Sequence, residues 1–257
     1  MTFPVDIVSF ASEILWSHVL VFLRVAPVVS LFPGFGESTV PVRLKLAVAL
    51  AFTVIMTPAI IPHLSEFGSA APPFSLVLSE TGIGLLMGMG IRLFVLALQT
   101  TGSIAGQATS LAQILGSAGV TPLPAIGHLL VLGGLALAMM TGLHVQAARM
   151  IVLSYDLFPV GHLPQSSDVA SWGIRQVGGA FALAFTLAAP FLIVSVLYNL
   201  TLGIINRAMP QMMVVFVGAP VITAVGIVLM LLMAPSILTI WITALQTFVV
   251  NPFGGVR

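Results

Sequence analysis

The amino-acid sequence predicts an all-α, polytopic membrane protein: about six apolar helical stretches forming one membrane domain over residues 1–257, with proline-kinked or broken helices among them. Three observations predict it. First, 59% of residues are hydrophobic and only 6% are charged, with a mean hydropathy of +1.18. Ordinary soluble domains carry about 25% charged residues, so this chain lacks the polar surface to cover itself in water. Second, the apolar residues gather in long runs, and 257 residues allow five to seven spans of about 20 residues each. Third, most breaks between the runs carry proline, glycine or charge. A stretch of this kind must satisfy its own backbone in lipid, which a helix does without a partner strand.

The first stretch, Val8–Leu31, follows Met1-Thr2-Phe3-Pro4-Val5-Asp6, which has no basic n-region, and it contains Glu13. It is therefore read as a retained span and not a cleaved signal. Pro33-Gly34-Phe35-Gly36-Glu37 separates it from Leu44–Ile61, and the segment from Pro62-His63 to Pro72-Pro73 ends the second. Phe74–Leu98 is the third. It carries Gly84 and Gly88 at small-xxx-small spacing, as do Gly102 and Gly106 just beyond, a pattern that favours close helix packing. Ile126–Leu153 is the fourth, closed by the polar segment from Asp156 to Asp168. The fifth and sixth, Trp172–Ile205 and Met212–Val250, flank Asn206-Arg207-Ala208-Met209-Pro210. As straight helices each would exceed ~50 Å, against a hydrocarbon thickness of ~30 Å. Pro190, Pro220 and Pro235 are where kinks or breaks are expected to relieve that length.

Arg43 and Lys45 follow the first stretch and Arg207 follows the fifth. Six crossings put these three on one side and Asp6, Glu13, Glu66, Asp156 and Asp168 on the other. The positive-inside rule then places both termini outside the cytoplasm, with Glu37 and Arg257 falling against the pattern. A net charge of +1 leaves no basic face for nucleic acid or acidic lipid. The absence of cysteine excludes disulfides, thiolate metal sites and thiol catalysis.

Neither HExxH, Gly-x-Ser-x-Gly, a Walker loop nor a dinucleotide fingerprint occurs, and the five histidines have no metal-ligand spacing. The expectation is a protein with no catalytic residues, cofactor or metal. Ionisable residues inside the apolar stretches are costly and need a reason. Arg24, Glu80 and Arg92 are the candidates, with His144 and Arg149 in the fourth stretch. Glu80 and Arg92, twelve residues apart, stand ~18 Å apart on one helix and cannot pair with each other. The residues admit a proton or substrate pathway; the favoured reading makes Arg24 and Arg92 buried anchors, bonded to carbonyls or to a partner chain. His144 is read as an interhelical hydrogen-bonding residue.

Thr101–Pro124 carries Gln107 and Gln113, four glycines (Gly102, Gly106, Gly116 and Gly119) and no charge. It is too long for a turn and too apolar for a solvated loop. The residues alone leave open a re-entrant, pore-facing loop with an apolar face of Leu111, Ile114 and Leu115, or a plain connector. The Met209-Pro210-Gln211-Met212-Met213 cluster offers adaptable thioethers that suit either turn packing or a moving chain.

Three groups of residues together resemble the FliR/SctT family of the type III export apparatus. The first is Arg24-Val25-Ala26-Pro27, Pro33-Gly34-Phe35-Gly36 and Val40-Pro41-Val42-Arg43-Leu44; the second is Gly142-Leu143-His144, Ser154-Tyr155 and Pro159-Val160-Gly161. The third, the most specific, is Asn199-Leu200-Thr201-Leu202-Gly203, Asn206-Arg207-Ala208-Met209-Pro210-Gln211 and Val217-Gly218-Ala219-Pro220. The chain departs from the family near Met213, where the family usually has an asparagine, and near Ala219–Ile222, where it often has a phenylalanine and a lysine; here those positions are apolar.

The resemblance implies a structural subunit of the export gate in the inner membrane, at the flagellar basal body or an injectisome, through which unfolded proteins pass. It implies FliP-like and FliQ-like helical partners and a neighbouring FlhB-like export switch protein. It also implies that Gly106, Gln107, Leu111, Gln113, Ile114, Leu115, Gly116 and Gly119 belong to a channel plug. Arg24, Pro27, Glu80, Arg92, His144, Asn199, Arg207, Pro210 and Gln211 are the expected assembly residues. In such complexes much apolar surface is buried against partner subunits and not lipid. The rival readings are a secondary transporter with a midplane site built on broken helices and an intramembrane protease, which the missing motifs disfavour.

Overall fold

A computed structural model describes residues 3–64, 73–109, 125–209 and 214–254. Among them the regular structure is seven α-helices: α1 (Phe3–Leu31), α2 (Val42–Leu64), α3 (Pro73–Thr109), α4 (Ala125–Met140), α5 (Leu143–Leu157), α6 (Ser166–Ala208) and α7 (Val214–Val250). α1, α2, α3, α6 and α7 are each long and apolar enough to cross a membrane, and α4 with α5 makes a sixth if counted as one span. The all-α membrane class expected from the sequence is what is found.

The breaks fall at different places from those expected. α6 continues unbroken through Pro190 and α7 through Pro220 and Pro235. The interruption lies in the fourth stretch, at Thr141-Gly142, where α4 and α5 meet at 68°. Gly142 adopts φ 74°, a left-handed conformation that costs glycine little and ends a helix directly. Its N–H donates to Met139 O, while its own carbonyl starts α5 by accepting from Val145 and Gln146. A second difference concerns α3. The loop expected from Thr101 onward is still helix as far as Thr109, so Gly106 and Gln107 belong to the end of α3.

Contacts within the chain gather into two units. Unit 1 comprises Met1–Arg92, Ala138–Arg175 and Leu245–Arg257; unit 2 comprises Leu93–Leu137 and Gln176–Ala244. In unit 1, α1 packs on α2 and α2 on α5. The α1–α2 turn depends on glycine: Gly34 has φ 87°, and a Cβ on Gly36 would fall 2.5 Å from Ser30 O. Pro41 O then starts α2 by accepting from Leu44 and Lys45. Gly84 and Gly88, the small pair read from the sequence, let α3 approach α1: a Cβ on Gly84 would strike Arg24 O, and one on Gly88 would come within 3.1 Å of Pro27 O. The core there is Val21, Val25, Ile60, Ile83, Met87 and Ile151.

Unit 2 has a different kind of core. Gly102 in α3 lies against Gly127 in α4 so closely that a Cβ would strike the facing Cα. Gly134 receives Leu98 and the Trp241 ring, and Trp241 Nε1 donates to Phe94 O at 2.8 Å. Thr101 Oγ1 donates to Ala97 O at 2.8 Å and lies 3.3 Å from Ala184 O of α6. Ala184, Leu187, Ala188 and Phe191 form the buried stripe of α6.

Candidate functional site

The most elaborate polar arrangement among the described residues lies in unit 1 and is built on Arg24. Arg24 comes from the C-terminal half of α1, Glu80 from the second turn of α3, and Ser154 and Tyr155 from the last turn of α5. Arg24 and Glu80 are both 0% exposed. Arg24 Nε donates to Glu80 Oε2 at 2.8 Å and Nη2 to Glu80 Oε1 at 3.1 Å, a two-pronged pairing that matches guanidinium to carboxylate. Nη1 donates to Ser154 Oγ at 2.9 Å and Nη2 to Phe158 O at 3.0 Å. The Tyr155 ring covers the guanidinium face, 3.7 Å from Cζ to centroid. Glu80 Oε1 also accepts the Gly161 N–H at 3.3 Å, tying down the turn that leads into α6.

This geometry reads as a fastening. The two charges cancel, and four of the five guanidinium N–H donors are taken up. Removing one partner of such a pair typically costs about 3–5 kcal/mol, because the other charge is left buried and alone. The sequence reading expected carbonyls or a partner chain to satisfy Arg24 and Arg92. Phe158 O is one such carbonyl, but the charge on each arginine is met by a carboxylate of the same chain. For Arg92 that carboxylate is Glu37 in the α1–α2 turn, with both side chains about one-fifth exposed. Glu80 and Arg92 do not meet each other, as their spacing along α3 requires.

The other candidate residues are more dispersed. Pro27, half-buried, sits inside α1 beside Gly88. His144 lies in the first turn of α5, and its buried Nδ1 has no hydrogen-bond partner among the described residues, unlike the interhelical bond expected of it. Asn199 and Arg207 are exposed on the C-terminal half of α6, where Asn199 Nδ2 donates to Ser195 Oγ at 3.3 Å. In α3, Gly106 is buried and Gln107 exposed. Leu111, Gln113, Ile114, Leu115, Gly116, Gly119, Pro210 and Gln211 lie outside the described residues. No group of three or more histidine, aspartate or glutamate side chains among the described residues could hold a metal.

Three of the short segments that carried the family resemblance meet at one point: Arg24 from the first group, Ser154-Tyr155, and the Pro159–Gly161 turn from the second. Glu80, the counter-charge, was visible as an ionisable residue in an apolar run. Arg24, 56 residues away, was visible in the same way, but nothing in the sequence paired the two. A separate tie was not anticipated: His63 Nε2 in the last turn of α2 lies 2.9 Å from Asp156 Oδ1 in the last turn of α5. Trp172 Nε1 donates to Pro252 O at 2.8 Å and packs with Phe158 around Phe253, holding the C-terminal segment in unit 1.

Comparison with known proteins agrees with the resemblance. Residues 15–248 match the family of bacterial export proteins, family 1. The flagellar biosynthetic protein FliR of Caulobacter vibrioides is 33% identical over 231 residues, covering 86% of this chain and 90% of that protein. FliR of Escherichia coli is 28% identical over 222 residues, covering 84% and 83%, and that of Bacillus subtilis 25% over 221 residues, covering 84% and 85%.

Proposed function

This chain belongs to the bacterial export proteins, family 1, and is a membrane component of the flagellar type III export apparatus; we propose that it acts there as a non-enzymatic structural subunit of the export gate. Its neighbours in this reading are FliP-like and FliQ-like helical subunits and a FlhB-like switch protein, in the inner membrane. The passing cargo is unfolded flagellar protein. The arginine-bearing ends, Arg43 with Lys45 and Arg207, face the cytoplasm.

The observation that carries the reading is the exterior of α6 and α7. Their apolar windows are only 22% and 17% buried within the chain, and Phe181, Phe185, Ile193, Leu200, Leu231 and Leu232 are exposed. Such a surface needs lipid or other helices against it, and an assembling subunit supplies the second. The bent α4–α5 pair alone does not favour a secondary transporter, because its break carries no inward-facing charge among residues 140–143.

Deleting the gene should abolish flagella and export of flagellar proteins while the purified chain co-isolates with helical membrane partners. Normal flagella in the deletion strain, or a chain that is stable and alone in detergent, would overturn this reading. Within it, the segment from Gly106 to Gly119 is assigned the plug. Deleting residues 108–116 should leave the complex assembled but make the membrane leaky to ions or dye. A tight membrane with a normally assembled complex would reduce the segment to a connector.

A further inference from the structure

One face of α5 is left unused by the packing of unit 1. The exposed residues of α5 are Val145, Arg149, Leu153, Asp156 and Leu157, and its other positions are buried or half-buried. Spacings of four, four, three and one put all five on a single face of a helix. Val145, Leu153 and Leu157 are each more than half exposed, so the face is apolar around two opposite charges. Beside it, Leu153, Asp156 and Leu157 line an open groove of about 270 Å³ with Val250, Asn251 and Phe253, at and just after the end of α7. Face and groove lie wholly within unit 1.

The charges say what covers this face. Arg149 has no ion pair or hydrogen bond among the described residues. Arg43 and Arg207 stand at the ends of α2 and α6, where water is close, but Arg149 stands midway along α5, in the second arm of the bent span. An arginine facing hydrocarbon from mid-helix is costly until an acceptor meets it. Asp156 accepts from His63 at one oxygen, and a carboxylate has about four acceptor sites, so it has room for a further donor. The two charges are seven residues apart, about 10 Å along the axis. A single lipid headgroup does not present an anion and a cation at that separation with apolar surface between them. A helix does, through residues one heptad apart on its contact face.

We propose that this face of α5 docks an apolar helix of a different membrane protein in the export complex, one that sets a carboxylate against Arg149 and, a heptad away, a basic group against Asp156. The proposal rests on the reading of this chain as an assembling subunit, and adds the place on the chain and the charge pattern of what binds there. Leu153 packs between the two ion pairs, and the groove beside Val250 takes a large apolar side chain of the incoming helix. A second copy of this chain is the rival occupant, since two antiparallel α5 helices set each Arg149 against the other's Asp156. That pairing uses Val145, Leu153 and Leu157 against one another and leaves the groove open, whereas a different helix fills both.

The test places a photo-crosslinking phenylalanine analogue at Val145 in cells that build the export apparatus, and measures the cross-linked product and the recovery of the complex. The native chain should cross-link to an apolar helix that bears a carboxylate. Arg149→Lys should keep both signals, Arg149→Gln should weaken them, and Arg149→Glu should lower them by about tenfold or more through like-charge repulsion. Changing the captured carboxylate to lysine should restore the Arg149→Glu chain, a rescue that a misfolded variant does not give. Exchanging the charges, Arg149→Asp with Asp156→Arg, should leave recovery low. Restoration by that exchange, with a cross-link between two copies, overturns the proposal in favour of self-pairing. Cross-links to lipid alone, undiminished signals in Arg149→Glu, or no rescue also overturn it. The export reading then still stands if deleting the gene abolishes flagella.

Discussion

Units 1 and 2 are held together by different physics. Of the fifteen charged residues in the chain, fourteen lie in unit 1, and Arg207 alone is in unit 2. Unit 1 fixes the register of α1, α3 and α5 with a buried ion pair whose hydrogen bonds point in set directions. Unit 2 has no charge in its core and relies on backbone approach at Gly102 and Gly127, an indole bond to a carbonyl, and a threonine between helices. The comparison teaches that an apolar chain has two ways to specify one helix arrangement. A desolvated charge pair penalises every wrong register heavily, whereas small-residue packing rewards the right one through many weak contacts.

The sharpest way to break the contrast is at Arg24. Arg24→Leu leaves the Glu80 carboxylate buried without its partner, and a loss of about 3–5 kcal/mol is expected. Recovery of folded chain in the export complex should collapse. The double variant Arg24→Leu with Glu80→Leu should recover a substantial part of it, since no isolated charge remains. If the double variant is no better than the single one, the directed hydrogen bonds to Ser154, Phe158 and Gly161 matter more than charge balance.

An intermediate effect is expected from steric substitution in unit 2. Gly102→Val forces α3 from α4 and should cost about 1–3 kcal/mol, the usual scale of overpacking. Gly178→Ala, on an α6 surface with nothing within 4 Å, should be neutral or slightly stabilising within the isolated chain. Thermal melts of the two purified variants check this, and equal losses would show that glycine's effect is not local packing. A poorer complex with Gly178→Ala despite an unchanged chain would mark α6 as a packing face for a partner helix.

Smaller effects should follow from single polar ties. Trp241→Phe removes the N–H that serves Phe94 O while keeping most of the ring, at a cost of about 1 kcal/mol. Arg92→Leu leaves Glu37 partly exposed and should lower recovery of the complex less than Arg24→Leu but more than Arg257→Leu. Quantitative recovery of the complex from membranes orders the three. Equality of Arg92→Leu with Arg257→Leu would show that the Glu37 contact contributes nothing to assembly.

The apolar runs and the breakers located most of the helices among the described residues, because burying backbone in an apolar setting leaves helix as the available state; α4 and α5 were read as one stretch, and α3 continues past Leu98 to Thr109. Two local readings are corrected in part. Kinks or breaks were expected at prolines 190, 220 and 235, and α6 and α7 run through them without a break; a loop was expected from Thr101, and α3 runs on to Thr109. Both are propensities, worth about 1 kcal/mol for glycine and about 3 for proline. Tertiary packing outweighs them: Gly102 remains helical because its missing side chain is the space Gly127 occupies. Gly142 looked like one residue of a family segment, and only its left-handed backbone identified it as the bend.

Sequence by itself determined the membrane class, the helices, the absence of thiol chemistry and, through short segments in order, the family. It also marked Arg24, Glu80 and Arg92 as residues needing a reason, since the cost of a charge in an apolar run is a local property. Which charge meets which was decided only by tertiary structure. Pairing Arg24 with Glu80 across 56 residues, and Arg92 with Glu37 across 55, depends on how α1 and α3 lie side by side. That arrangement is set by the glycine-lined approach of the two backbones, a fact about surfaces fitting together that no single stretch of chain contains.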